Sequence, residues 1–213
     1  MKHSSKSLSH LKEMNEKAGS NHRNLFHTAA IWNLFFPVFS GIVFLILNCP
    51  ASAQISLKNK IVASVRWVDD NFGRSVSISG TYAIAGAARE DEDAAGGNNA
   101  MDAGAAYIFE YDGSNWVQKQ KIVASDRAVL DGFGGSVSIS GNYAVGGATG
   151  EDHDVAGANP VSNAGSAYIF ERVAGTWAEA KKIVAPDRVI NDYFGSSVSI
   201  SGDYAIVSAP SQD

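Results

Sequence analysis

FGRSVSISGTYAIAGA from Phe72, FGGSVSISGNYAVGGA from Phe133 and FGSSVSISGDYAIVSA from Phe194 are one passage written three times, 61 residues apart and without an insertion. Lys60-Ile61-Val62-Ala63, Lys121-Ile122-Val123-Ala124 and Lys182-Ile183-Val184-Ala185 keep the same interval. Between units 60–120 and 121–181 about 34 of 61 positions are identical, the mark of tandem duplication, and a third unit occupies 182–213. In such an array each unit is one supersecondary element that buries its apolar surface against its neighbours.

Within a unit the pattern is that of strands. Phe72–Ser79 and Tyr82–Ala88 alternate apolar and small residues around Gly80-Thr81, a Gly-X pair suited to a two-residue hairpin because glycine accepts φ > 0. This excludes the first impression of the glycine-rich passage, a phosphate-cradling loop. Gly104–Tyr111 and Trp116–Ala124 form a second pair around Asp112-Gly113-Ser114-Asn115. The third strand is apolar on both faces, with Ala106 and Ile108 on one and Tyr107 and Phe109 on the other, so it must be covered from both sides.

These features predict an all-β fold of β-propeller blades, each of four antiparallel strands, with about two and a half blades in 54–213. A two-sheet sandwich leaves one face of each strand wet, and no helical period exists to support a solenoid. One period before Trp116 stands Ile55, which predicts that the chain after residue 53 begins with a fourth strand whose three partners come from elsewhere. The array is therefore expected to be the N-terminal part of a longer propeller.

Phe-Gly at 72–73, 133–134 and 194–195, followed by Gly86-Ala87, Gly147-Ala148 and Ala209-Pro210, resembles the FG-GAP repeat, in a form like the bacterial one. The resemblance covers Lys60 to Asp213. It implies the propeller of integrin α subunits and of many bacterial surface proteins, and with it a binding or adhesion role. Many repeats of that family carry a D-x-D-x-D-G calcium loop between the first two strands. Here that place is the tight turn Gly80-Thr81, Gly141-Asn142 or Gly202-Asp203, so that calcium site does not carry over.

Ahead of the repeats, Lys2, Lys6, Lys12, Lys17 and Arg23 precede an apolar run from Ala29 to Cys49, then Pro50 and Ala51-Ser52-Ala53. Basic region, apolar helix and A-x-A site in that order predict a secretory signal over 1–53, cleaved before Gln54. Left uncleaved, residues 29–49 are long enough to serve as a membrane anchor. Either outcome places the repeats outside the cell or at its surface. The rest of the chain has twelve basic against twenty acidic residues, net −8, and offers no footprint for nucleic acid. Cys49 is the only cysteine, and His153 is the only histidine beyond residue 27. With no G-x-S-x-G elbow and no repeated Ser-His-Asp set, the repeats carry no catalytic constellation. An enzyme would need residues beyond Asp213, a hydrolase domain for example.

Alternating strands sort their connections onto two faces, and the long ones share a face: the second-to-third loop (89–103) and the blade-joining loop (64–71). Binding residues concentrate on loops held by a rigid scaffold, so a protein or glycan ligand is expected there. Arg66 and Asp70, Arg127 and Asp131, and Arg188 and Asp192 recur four apart, read as pairs that tie down their own loops. Glu90-Asp91-Glu92-Asp93 and Glu151-Asp152-His153-Asp154 are acidic. Asp91, Asp93, Gly96 and Asp102 match positions 1, 3, 6 and 12 of an EF-hand loop, as do Asp152, Asp154, Gly157 and Asn163. Position 5 is Ala95 or Ala156 and the bidentate Glu is missing, so the expectation divides between a solvated acidic loop and a weak calcium site through Asp91, Asp93, Asp102, Asp152 and Asp154. Trp116 and Trp177, on the outer strand, are expected to pack between blades.

Overall fold

The computed structural model describes residues 60–64, 67 and 69–212. The N-terminal apolar helix, Ile55 and Arg66 lie outside the described residues. Every regular element that is described is a strand. The first blade is β1 (Val76–Ser79), β2 (Tyr82–Ala87), β3 (Ala105–Tyr111) and β4 (Trp116–Ile122). The second is β5 (Ser136–Ser140), β6 (Tyr143–Ala148), β7 (Ser166–Val173) and β8 (Thr176–Ile183), and β9 (Val198–Ser201) with β10 (Tyr204–Val207) forms a third hairpin. Each four-stranded sheet runs in chain order with antiparallel neighbours, the predicted blade meander. Among the described residues no helix is long and apolar enough to cross a membrane.

The hairpins fall where the glycines put them. Ser79 pairs with Tyr82 and Ser140 with Tyr143, leaving Gly80-Thr81 and Gly141-Asn142 as two-residue turns, with Gly80 at φ 58° and Gly141 at φ 57°. The first strand is shorter than expected. Asn71 at φ 58° and Gly73 at φ 83° turn the chain at Phe72, so regular pairing begins only at Val76. A β-bulge between Ile108 and Phe109 recurs between Ile169 and Phe170, and adds twist to the outer pair of each blade.

Both faces of β3 are covered, as its sequence requires. Ile84, Ala106 and Ile108 join Phe133, Val137, Ile139, Tyr168, Phe170 and Trp177 in the core between the first two blades. Ala85, Tyr107 and Phe109 form a second core on the opposite face, with Phe72 and Trp116 against it. Trp177 is buried and meets the Tyr82 ring edge-on at 6.1 Å, joining the blades as expected for that position. Gln120 of the first blade brackets it, donating to the Trp177 carbonyl at 2.6 Å and accepting from the Trp177 N–H at 2.9 Å. Burying one such indole contributes roughly 2–3 kcal/mol. Trp116 is half-buried against Tyr111.

The S-x-S-x-S of each inner strand has a separate task. Ser75, Ser77 and Ser79 hydroxyls accept the N–H groups of Val137, Ile139 and Gly141, and Ser138 and Ser140 do the same for Ile200 and Gly202. Inner strands too far apart for a ladder are thus joined through serine, and the repeated serines are an inter-blade zipper. The motif glycines work at the same seam. The Gly73 N–H donates to the Gly86 carbonyl and the Gly134 N–H to the Gly147 carbonyl, closing each inner hairpin at its base.

Candidate functional site

The two long connections of each repeat lie together and are clamped from two directions. Asp70, Asp131 and Asp192 each use Oδ2 to accept the N–H three residues earlier, from Trp67, Ala128 and Val189, each at 2.6 Å. That aspartate closes its own loop, as its spacing indicated. The arginine does something else. Arg127 donates to the Asp91 and Asn98 carbonyls, both at 2.6 Å, so it holds the β2–β3 loop of the preceding repeat. Arg188 repeats this on the Asp152 and Asn159 carbonyls. Each long loop is therefore locked by the next unit, and the four-residue Arg/Asp spacing joins two different loops rather than pairing within one.

The candidate calcium residues have partners inside the loop. Asp91 Oδ1 accepts the Asp102 N–H at 2.8 Å, and Asp152 Oδ1 accepts the Asn163 N–H at 2.7 Å. Asp93 Oδ1 accepts from Ala95 and Gly97, its other oxygen takes the Asn98 side-chain amide, and Asp154 repeats the arrangement with Ala156, Ala158 and Asn159. These donors hold the Asp93 and Asp154 carboxyls below the usual carboxylate range, through the Gly97 and Ala158 N–H groups first. Among the described residues no three His, Cys, Asp or Glu side chains are grouped so as to hold a metal ion, so Asp91, Asp93 and Asp102 are not brought together as one ligand set.

The first acid of each cluster is buried, which its sequence context concealed. Glu90 is fully buried; it accepts the Tyr107 hydroxyl at 2.6 Å and has Lys121 Nζ at 3.2 Å. Glu151 takes the Tyr168 hydroxyl at 3.1 Å, Lys182 at 3.3 Å and the His153 N–H at 2.7 Å. Asp126 joins this second cluster at 2.7 Å from Lys182 and 2.8 Å from Tyr168. Burial works to raise the Asp126 carboxyl, but the Lys182 and Tyr168 bonds outweigh it and hold it low. Burial, then the Glu151 charge, push the Asp131 carboxyl up to about 7. Burial likewise raises both tyrosines, reinforced at Tyr107 by its hydrogen bond to Glu90 and at Tyr168 by the Glu151 charge. The signal is present: Lys121 and Tyr107 lie on strands with buried faces, where the ammonium needs a counter-charge and the hydroxyl an acceptor.

Above these clusters the loops present apolar side chains. Trp67, Met101, Val129, Leu130, Val189 and Ile190 are 55–68% exposed, on loops that composition marks as polar. At 55% or more these side chains project from clamped backbone rather than folding back into the core.

The FG-GAP repeat family matches residues 55–109, 116–170 and 177–213, three segments whose starts are one repeat period apart. No curated protein matches the chain.

Proposed function

The chain belongs to the FG-GAP repeat family, and from that premise we propose that it is an exported β-propeller interaction module whose long-loop face binds a protein or glycan ligand. Such repeats generally build binding surfaces rather than catalytic ones. The reading is supported above all by the exposed apolar side chains on the clamped loops, Leu130 and Ile190 among them. Rigid loops lose little entropy on binding, and apolar anchors supply the desolvation that gives a contact its affinity. The binding site is extracellular or at the cell surface, reached through the signal in 1–53 or held there by residues 29–49.

Binding is tested with the full chain on beads, scored for adhesion to extracellular-matrix protein and to a glycan array. Leu130→Ser with Ile190→Ser is expected to abolish adhesion. Val117→Ser, an exposed outer-strand control, is expected to keep it. Equal adhesion by all three proteins refutes the long-loop face. Export has its own readout: N-terminal sequencing of released protein begins at Gln54 on the signal reading, whereas recovery of the intact apolar segment in membranes establishes the anchor.

A further inference from the structure

The repeats are near-copies, so charged residues confined to one of them stand out. Arg74 and Arg89 belong to the first repeat alone; the second has Gly135 and Gly150 in their places, the third Ser196 and Ser211. A cavity of about 370 Å³ on the long-loop face is lined by Arg74, Arg89, Asp102, Gly135, Thr149 and Ser196 among others. The backbones of the two arginines are fixed, the Arg74 N–H to the Asn71 carbonyl and the Arg89 N–H to the Asp70 carbonyl, both at 3.2 Å. Their guanidinium groups have no hydrogen-bond or carboxylate partner among the described residues, whereas Arg127, Arg172 and Arg188 are all engaged. On an acidic chain, two unpaired guanidiniums beside one cavity form a local site of opposite sign. At Gly135 an added Cβ would meet the Gly132 carbonyl oxygen at 3.3 Å and the Ala88 Cβ at 3.9 Å, so the bare backbone forms this part of the wall.

We propose that this cavity binds a carboxylate carried on a peptide segment of a protein ligand, gripped by Arg74 and Arg89. The guanidinium fork matches a carboxylate in two parallel hydrogen bonds. Asp102 on the same wall disfavours a doubly charged phosphate and offers an acceptor to a peptide N–H beside the bound side chain. The volume, at the small end for ligand pockets, suits one acidic side chain with its flanking peptide units. The inference rests on the long-loop face being the binding face and names the chemistry recognised there.

The test is NMR titration of the full chain with acetyl-Gly-Asp-Gly-amide, its Asn counterpart, sodium acetate and inorganic phosphate. The Asp peptide is expected to bind, acetate to compete at higher concentration, and the Asn peptide to bind at least tenfold more weakly. Arg74→Gln with Arg89→Gln is expected to lose at least tenfold in affinity at unchanged melting temperature, because neither side chain has a folded-state partner. Lys181→Gln, an exposed charge elsewhere, is expected to change nothing. Equal binding of the Asn peptide, indifference to the arginine pair, an equal loss in Lys181→Gln or tighter binding of phosphate each overturns the proposal. If the Asp peptide perturbs the β2–β3 loops independently of the arginines, only this inference fails. If it perturbs the short-turn face instead, the long-loop reading fails with it.

Discussion

The carbonyl oxygen of Gly134 occupies the place a Cβ on Gly86 would need, 1.9 Å from it. The Gly134 position is as tight, since a Cβ there would sit 2.2 Å from the Ala105 oxygen on a backbone already at φ 87°. The Phe-Gly of one repeat and the Gly-Ala of the one before it are thus two halves of a single backbone contact. The same contact recurs at Gly147, whose Cβ would meet the Gly195 oxygen at 2.0 Å. This is a physical reason for both glycines of the motif: two blades approach there backbone to backbone. Gly86→Ala is expected to cost about 3 kcal/mol or more, because the obstructing atom is main chain and cannot rotate away. Gly97→Ala, with nothing near its Cβ, is expected to stay within about 0.5 kcal/mol of wild type. Urea unfolding measures both, and equal stabilities would refute the contact.

The serine zipper makes a second prediction. Ser77 Oγ accepts the Ile139 N–H at 3.2 Å, and Ile139 is buried. Ser77→Ala leaves that N–H without an acceptor, a loss of about 1–3 kcal/mol. Ser199, its exposed counterpart two repeats on, accepts from no described group, and Ser199→Ala should be near neutral. Accelerated hydrogen exchange at the Ile139 amide in the first variant alone would confirm the hydroxyl as its acceptor; unchanged exchange would remove it.

Calcium at the acidic loops is decided by a melt. An ion would have to take Asp91 and Asp93 oxygens from the loop's own N–H donors and the Asp91 and Asn98 carbonyls from Arg127. A site so opposed belongs at the weak extracellular end, about 10⁻⁴ to 10⁻³ M. At tenfold excess over its dissociation constant it stabilises by about 1.4 kcal/mol. The expected result is a higher midpoint in millimolar calcium than in EDTA. The shift should be absent from Asp91→Asn with Asp152→Asn, which keeps the acceptors for Asp102 and Asn163 and loses the charge. No shift in wild type, or the same shift in both proteins, removes calcium from these loops.

The strands were legible because alternation and Gly-X turns are local. Ser79-Gly80-Thr81-Tyr82 states its own hairpin, and Ala-Tyr-Ile-Phe is apolar on both sides whatever surrounds it. Legibility failed where the partner lies far along the chain. Arg127 stands four residues before Asp131, a spacing that reads as one loop, yet the carbonyls it holds are 29 and 36 residues back. Glu90 looked solvated among Asp91, Glu92 and Asp93. Only the convergence of Tyr107 and Lys121 from two other strands shows that the first acid turns inward while the rest turn out. The exposed Leu130 and Ile190 were hidden because composition averages a loop, and a few projecting side chains do not alter the average.

The buried acids predict that neutral pH is not the stability optimum. Asp131 is 4% exposed, with Glu151 beside it and Asp126, Lys182, Tyr168 and His153 around that glutamate. Its folded pKa of about 7 lies above its ordinary value of 3.8, so between those values the folded state holds a proton that the unfolded chain releases. The stability this contributes is complete below about pH 4 and is lost as pH rises through 7. Asp70, raised by burial first, slopes the same way. Asp93, Asp126 and Asp154 have lowered carboxyls and act oppositely, stabilising above their ordinary value and failing in acid. Urea midpoints should therefore fall from pH 5.5 to pH 8, with about 2 kcal/mol as the ceiling for the roughly 1.5 units between pH 5.5 and 7 at one site. Asp131→Asn keeps an oxygen for the Ala128 N–H and takes one charge away from Glu151, so its midpoint should be flatter over that range and higher than wild type at pH 8. A His153→Gln background takes the imidazole beside Glu151 out of the comparison. A wild-type midpoint that holds or rises toward pH 8, or an Asp131→Asn slope equal to it, would show that Asp131 does not hold that proton in the folded state.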